Sequence, residues 1–380
     1  MKKTEICFIS SNPNFDGGVT LFTKNLINYL QSSNKDIIFT WIYLGREDKN
    51  YTEKGVNYIQ IKTPNIFFLE DFAFNRKVYN ILKNKKFDII NSHAIWGYWM
   101  KNYVKREKQR IIHTYHGSTY YFLDNSRKRF GIIKRIILFP LLIFAYYLEK
   151  PPIKKADKII CVSAKVKKQF EELYKSKREM NVLRTGVDLN NFKIKNKELT
   201  RKSLNLEKDK NYGLYIGRGG FWTKGLDRAI SLSEEIYKKN KNYRLIIIGS
   251  DYKKVKHLLE KEFIIFLEKI PRDKIPNYYC ASDLFFCLSR YEGGAPTLVV
   301  SEAMASGCLL VCSNDSEQEI ITNGKNGLII NNFDEKDAEK IISTMNNQKL
   351  KKKLISNSIK TIKELSLEKW GKEYVKEMLK

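Results

Sequence analysis

The sequence predicts an α/β protein in two halves, each a parallel sheet joined by crossover helices. Two observations carry this. Short β-branched, apolar runs recur along nearly the whole chain with helical patterns between several of them, and one polar stretch, residues 193–209, interrupts the series before it starts again. A third observation bounds it. At 380 residues and 43% apolar content, and at ~150 residues per domain, the chain suits two or three domains with ordinary packed cores and does not suit dominant disorder.

In the first half the strand-like runs are Ile6 to Ser10, Ile37 to Leu44, Tyr58 to Ile61, Ile89 to Ser92, Ile111 to Tyr115 and Lys158 to Val162. Helical spacing of apolar residues marks Leu21 to Leu30 and Phe72 to Leu82. The second series comprises Tyr212 to Ile216, Leu245 to Ile248, Ile264 to Leu267, Leu284 to Leu288, Leu309 to Cys312 and Leu328 to Ile330. Ser366 to Leu379 reads as a final helix that either half could receive, a crossing back to the first included. The expected domains are therefore 1–195 and 196–365, with 366–380 as the terminal helix. Both halves share one plan, and no short-period repeat is evident.

Sixty-nine Lys and Arg against 42 Asp and Glu leave a net charge of +27, attractive to nucleic acid, anionic lipid head groups or phosphorylated metabolites. The lysines are scattered, so much of this charge simply solvates the surface. Nucleic acid is set aside, because no aromatic and basic platform, zinc-finger spacing or helix-turn-helix accompanies the charge. The six cysteines mostly sit in apolar runs, as buried reduced thiols do, and none shows CxxC spacing; with four scattered histidines, no structural zinc is expected. The apolar run after Met1 is too short for a signal peptide, so a cytoplasmic chain is expected. Ile136 to Leu148 is 13 residues without a charge between basic flanks. It is too short to span a bilayer and reads either as a buried helix or as an interfacial one.

The most informative stretch runs from Arg290 to Gly307. Pro296 suits the first turn of a helix, whose outward amides and positive dipole end bind phosphate. Gly293 and Gly294 let a bulky ligand approach the backbone, and two acids, Glu292 and Glu302, stand on either side to grip hydroxyls. Upstream, Gly217 to Gly225 follows a strand-like run and carries Arg218 and Lys224 on a second glycine-rich loop. Together they point to a phosphorylated, hydroxyl-rich ligand.

Taken in order, Gly17-Gly18 before a helix, His116-Gly117 after an apolar run, Ala156 to Ser163, Leu183 to Asp188, the Arg218 and Lys224 loop, Leu245 to Gly249 and the stretch from Glu292 to Glu302 resemble the retaining GT-B glycosyltransferases of family 4, the group 1 glycosyl transferases. The resemblance runs over nearly the whole length. It implies two Rossmann-like doubly wound domains facing a cleft, the first for the acceptor and the second for a nucleotide-diphosphate-sugar donor.

It also implies roles. Arg218 and Lys224 clamp the diphosphate in place of a metal, and the amides of Thr297 and Leu298 face it at the helix start. Gly17 and Gly18 let the first helix approach the donor. Glu302 accepts hydrogen bonds from the ribose hydroxyls, Glu292 contacts the donor sugar, and the backbone at Ile270 meets the base. His116 lies near the reaction centre, and His93 is a candidate on the acceptor side. The spacing departs from the family pattern, with nine residues between Glu292 and Glu302 instead of seven, and five between Arg218 and Lys224 instead of four. The longer loop makes the place of Glu292 beside the sugar less secure than that of Glu302.

The expected reaction is metal-independent transfer with retention to an acceptor hydroxyl, in cell-envelope or surface polysaccharide biosynthesis. No cofactor beyond the nucleotide sugar is expected. Charge and the 136–148 segment suit a lipid-linked saccharide acceptor and a peripheral place on the inner membrane face. The alternatives are a sugar-nucleotide epimerase or phosphorylase of the same architecture, and a catalytically silent sugar-nucleotide binder.

Overall fold

The computed structural model describes residues 3–15, 17–33, 36–66, 69–217, 220–249, 253–293 and 296–379. The chain divides into two units, Met1–Thr185 with Glu368–Lys380, and Gly186–Leu367. The division precedes the expected boundary at 195, because residues 181–182 still pair with the first sheet while Val187 already bridges Ser366 in the second unit.

In the first unit the strands are β1 (Thr4–Ile9), β2 (Ile37–Gly45), β3 (Lys49–Glu53), β4 (Val56–Lys62), β5 (Ile89–His93), β6 (Arg110–Tyr115), β7 (Lys158–Cys161) and β8 (Asn181–Val182). The helices are α1 (Gly18–Ser33), α2 (Leu69–Asn84), α3 (Thr119–Arg127), α4 (Ile132–Ile137), α5 (Phe139–Lys155) and α6 (Ala164–Tyr174). Among the described residues the sheet order is β3-β4-β2-β1-β5-β6-β7-β8, parallel except for the antiparallel edge strand β3. β1 is buried at Ile6, Cys7, Phe8 and Ile9 alike. Such a continuous apolar run is what a strand covered on both faces requires.

The segment 136–148 does not form one helix. Ile136 and Ile137 end α4, and α5 starts at Phe139 with Pro140 in its first turn, where a missing N–H costs nothing. α5 buries Leu142, Ala145 and Leu148 while Phe139, Ile143 and Tyr147 face solvent. The buried-helix reading thus holds for one face of α5, and the other face is exposed.

In the second unit, α7 (Lys197–Ser203) takes up part of the polar stretch, where Arg201 is buried against Asp283 at 2.8 Å. There follow β9 (Asn211–Ile216), α8 (Leu226–Lys239), β10 (Tyr243–Ile248), β11 (Ile264–Leu267), α9 (Ile275–Ala281), β12 (Leu284–Cys287), α10 (Leu298–Ala305), β13 (Leu309–Ser313), β14 (Leu328–Ile330), α11 (Glu335–Asn346) and α12 (Gln348–Lys363). The described strands run in the order β11-β10-β9-β12-β13-β14, all parallel. Alternate residues of one strand feed two cores. Leu284 and Phe286 join Leu226, Ile230 and Ile341 on one face, and Phe285 and Cys287 join Val300 and Met304 on the other.

The last helix, α13 (Leu367–Leu379), belongs to the first unit. Tyr374 is fully buried there, its hydroxyl 2.6 Å from Thr114 Oγ1 and 3.0 Å from Asn91 Nδ2, and Trp370 packs edge-on to Phe22. All six cysteines are buried and unbridged.

Candidate active site

In the second sheet, β9 lies between β10 and β12, so the chain crosses one way after β9 and the other way after β12. Loops leaving the carboxyl ends of two such strands part and leave a crevice between them, the usual ligand site of an open α/β sheet. Those loops are the segments that leave β9 and β12. They carry Lys224 and Glu292.

The structure joins these two residues. Lys224 Nζ donates to both carboxylate oxygens of Glu292, at 2.8 and 2.9 Å, and Ser289 Oγ donates to the same carboxylate. The lysine side chain is 41% exposed and the glutamate 12%. Partial burial pulls the Lys224 pKa down, but the Glu292 carboxylate outweighs it and holds the ammonium above its ordinary value. Lys224 is therefore a fixed cation at neutral pH.

Both loops are braced. Arg290 N–H donates to Thr223 O at 2.9 Å, and its guanidinium grips Asp227 with two bonds of 2.9 and 2.6 Å. The same guanidinium lies 4.4 Å from the Trp222 ring and donates to the Trp222 carbonyl. Gly225 then turns with φ +73°, and a Cβ there would stand 2.0 Å from Leu288 O. Only glycine allows the two loops to touch at this point.

The helix after β12 begins at Leu298, two residues later than Pro296 suggests, with Thr297 as its N-cap. The first-turn amides of Leu298, Val299 and Val300 have no acceptor within the helix, as at any helix start. The Thr297 amide differs from expectation. It donates to Gln318 Oε1 at 3.1 Å, so a side chain meets it in this structure.

Glu302 lies one turn further on and is 1% exposed. Its carboxylate accepts two bonds from the Arg272 guanidinium and one from Tyr279 Oη at 3.0 Å. Burial raises its pKa, and the arginine and the phenol oppose that rise. Arg272 in turn sits 5.0 Å from the Phe192 ring. Ile270, two residues before it, is half-buried against the same core.

In the first unit, β5 and β6 end beside one another, and their ends carry His93 and His116. His93 Nδ1 lies 3.0 Å from His116 Nε2, and the Phe22 ring stands edge-on to His116 at 4.7 Å. Burial pushes the pKa of His116 down to about 3 and that of His93 well below its ordinary value. Both rings are neutral near pH 7. A Cβ on Gly17 or Gly18 would meet no protein atom within 4 Å, so packing does not explain glycine there.

Of the expected residues, Lys224 and Glu292 are brought together, Thr297 and Leu298 form the start of α10 with Glu302 one turn further along it, and His116 meets His93. Arg218 and Gly294 lie outside the described residues. Sequence reasoning missed Ser289, Arg272, Tyr279 and Gln318. Arg272 carried no local signal, being separated from Glu302 by α9, β12 and the first half of α10. Among the described residues no group of three His, Cys, Asp or Glu side chains is placed to hold a metal ion.

Comparison with known proteins identifies the family. Residues 196–361 match the family model described as glycosyl transferases group 1, and residues 16–191 match that of glycosyltransferase family 4. An uncharacterized glycosyltransferase of Methanocaldococcus jannaschii is 28% identical over 360 residues, 93% of this chain and 92% of its own. The UDP-Gal:alpha-D-GlcNAc-diphosphoundecaprenol alpha-1,3-galactosyltransferase of Escherichia coli is 26% identical over 71% of this chain and 67% of its own. In fold, the chain is similar to WaaG, a glycosyltransferase involved in lipopolysaccharide biosynthesis, with a TM-score of 0.79 at 16% identity, covering 98% of this chain and 99% of that one. Two family models that between them take in nearly the whole chain, over two parallel-sheet units with paired loops at the second sheet's switch point, make this protein a glycosyltransferase of the GT-B, group 1 family.

Proposed function

We propose that the protein transfers a sugar, with retention and without a metal ion, from a nucleotide-diphosphate sugar to an acceptor hydroxyl in surface glycan synthesis. The observation that carries this is the cation of Lys224 in the loop after β9, joined to Glu292 in the loop that leads to the first turn of α10. As the glycosidic bond breaks, charge grows on the diphosphate, and donors already fixed there need no reorganisation. Lys224 and the first-turn amides supply them, and Arg218 is proposed as a second cation for the diphosphate. Glu292 orients sugar hydroxyls, and Glu302 holds the ribose diol beside Arg272. In the retaining route the donor phosphate itself takes the acceptor proton, and His116 is the residue of the first unit proposed to serve the reaction.

The acceptor is proposed to be lipid-linked and met at an anionic membrane surface. No described helix is long and apolar enough to cross a membrane. Ile132, Ile133, Ile136 and Ile137 of α4 are 67–75% exposed, among Lys128, Arg129, Lys134 and Arg135. Isoleucines that enter the lipid boundary with cations beside the head groups form an interfacial anchor. The E. coli relative's name gives a diphosphoundecaprenol acceptor, in keeping with this reading. Flotation with phosphatidylglycerol vesicles tests it: wild type should float at low salt, and a variant with all four isoleucines changed to Ser should not. Equal flotation of the two would remove the membrane part.

Thermal-shift screening against nucleoside diphosphates and their sugars tests the donor part, since specific binding stabilises by mass action. The stabilising donor is then incubated with lipid-linked saccharides, with and without EDTA, and the product anomer is read by NMR. Conversion of the donor alone to an epimer would instead mark a sugar-nucleotide epimerase.

A further inference from the structure

Glu149 of α5 is 1% exposed, and among the described residues no cation pairs with it. A carboxylate taken from water without a countercharge is costly unless donors replace the lost hydration. Here three do so. Oε1 accepts from Thr119 N–H at 2.5 Å, and Oε2 accepts from Ser118 Oγ at 3.1 Å and from Tyr120 N–H at 3.4 Å. These are the cap and first residues of α3, whose positive dipole end favours an anion. The main chain of Glu149 works too, because its carbonyl accepts from Tyr115 Oη at 2.6 Å.

Tyr115 ends β6 and Ser118 caps α3, with His116 and Gly117 the two residues between them. One residue of α5 therefore holds both ends of the turn that carries His116. We propose that Glu149 is a positioning residue, fixing this turn so that the His116 ring stays against His93 and Phe22. The effect on turnover rests on the proposed role of His116, whereas the effect on the ring's position does not.

The titratable groups facing Glu149 are Tyr115 of β6 and Tyr174 of α6, both phenols pushed up by burial, and the neighbouring His116 is held neutral by burial. Burial raises Glu149 itself to about 7, against the pull of the hydrogen bonds from Thr119, Ser118 and Tyr120. Near neutral pH it is thus the group in this cluster that changes charge.

The chain has four histidines, so a spectrum of the protein labelled only at histidine Cε1 gives four resonances. Recorded from pH 5 to 9, the His116 resonance should move with a midpoint near 7 in wild type and lose that midpoint in Glu149→Gln, with the far-UV spectrum unchanged. A midpoint that survives in Glu149→Gln, or a His116 resonance that lies at the same position in wild type and Glu149→Gln at every pH, overturns the proposal. Should Glu149→Gln not fold, Ser118→Ala removes one donor to the anion and should raise the midpoint, and an unmoved midpoint overturns it equally. With a stabilising donor identified, Glu149→Gln should lower kcat at least ~10-fold with KM little changed. Loss of turnover with an unperturbed His116 resonance would contradict positioning, and an altered resonance with normal turnover would instead refute the role of His116.

Discussion

Replacing Gly225 by Ala tests how the two loops of the second unit are joined. The residue has φ +73°, which costs an L-residue about 1–2 kcal/mol. Its new Cβ would stand 2.0 Å from Leu288 O and 2.5 Å from Leu288 C, backbone atoms that cannot swing aside. Reaching ordinary contact demands a shift of about 1.4 Å in one loop, and such overpacking costs about 1–3 kcal/mol. The sum is about 2–5 kcal/mol, offset by roughly 0.4–1 for the stiffer unfolded chain. Gly324→Ala is the matched control, because Gly324 has φ +70° and a Cβ there meets nothing within 4 Å. Urea unfolding of the second unit should separate the two variants by the steric part alone, about 1–3 kcal/mol. Lys224 and Leu288 adjoin the clash, so donor binding should weaken in Gly225→Ala and hold in Gly324→Ala. Equal loss of stability in both variants would refute the argument.

Arg272→Ala removes the cation from a carboxylate that is 1% exposed. Since the arginine is itself 37% exposed, the expected loss at pH 7 is on the order of 2 kcal/mol, below the range for a fully buried pair. The loss should shrink at pH 5, because protonated Glu302 tolerates burial, and a loss equal at both pH values would count against the pair. His113 is fully buried, and burial pushes its pKa from 6.5 to about 3. A depressed histidine leaves the unfolded chain binding more protons below 6.5, so first-unit stability should fall between pH 6.5 and 3, by up to about 1.4 kcal/mol per pH unit for this group. The urea midpoint followed against pH in wild type and His113→Gln checks this, and identical slopes would exclude His113 as a source.

Much of the fold was legible because the inner strands of both sheets are parallel and covered on both faces, which forces unbroken apolar runs such as Leu245 to Ile248. β3 was missed for the converse reason. Lys-Asn-Tyr-Thr-Glu is an exposed edge strand with no apolar alternation, held by its pairing to β4. β8 is only two residues long. In the site, Lys224 and Glu292 were visible as a cation and an acid in glycine-rich loops. The Arg272–Glu302 pair and the grip of Glu149 on Ser118, Thr119 and Tyr120 were not, because each joins residues about thirty apart whose meeting the packing of helices decides. The 136–148 segment showed its hydrophobicity but not its division at Leu138, so the exposed quartet on α4 extends upstream of it.

Calorimetric titration of wild type and Lys224→Ala with nucleoside diphosphates and the matching nucleosides addresses the central claim, that the second unit holds a diphosphate through Lys224. A charge-assisted bond of about 1.5–3 kcal/mol predicts a loss of roughly 10- to 150-fold in diphosphate affinity, with nucleoside binding unchanged. Equal diphosphate affinity in a folded Lys224→Ala protein would contradict it.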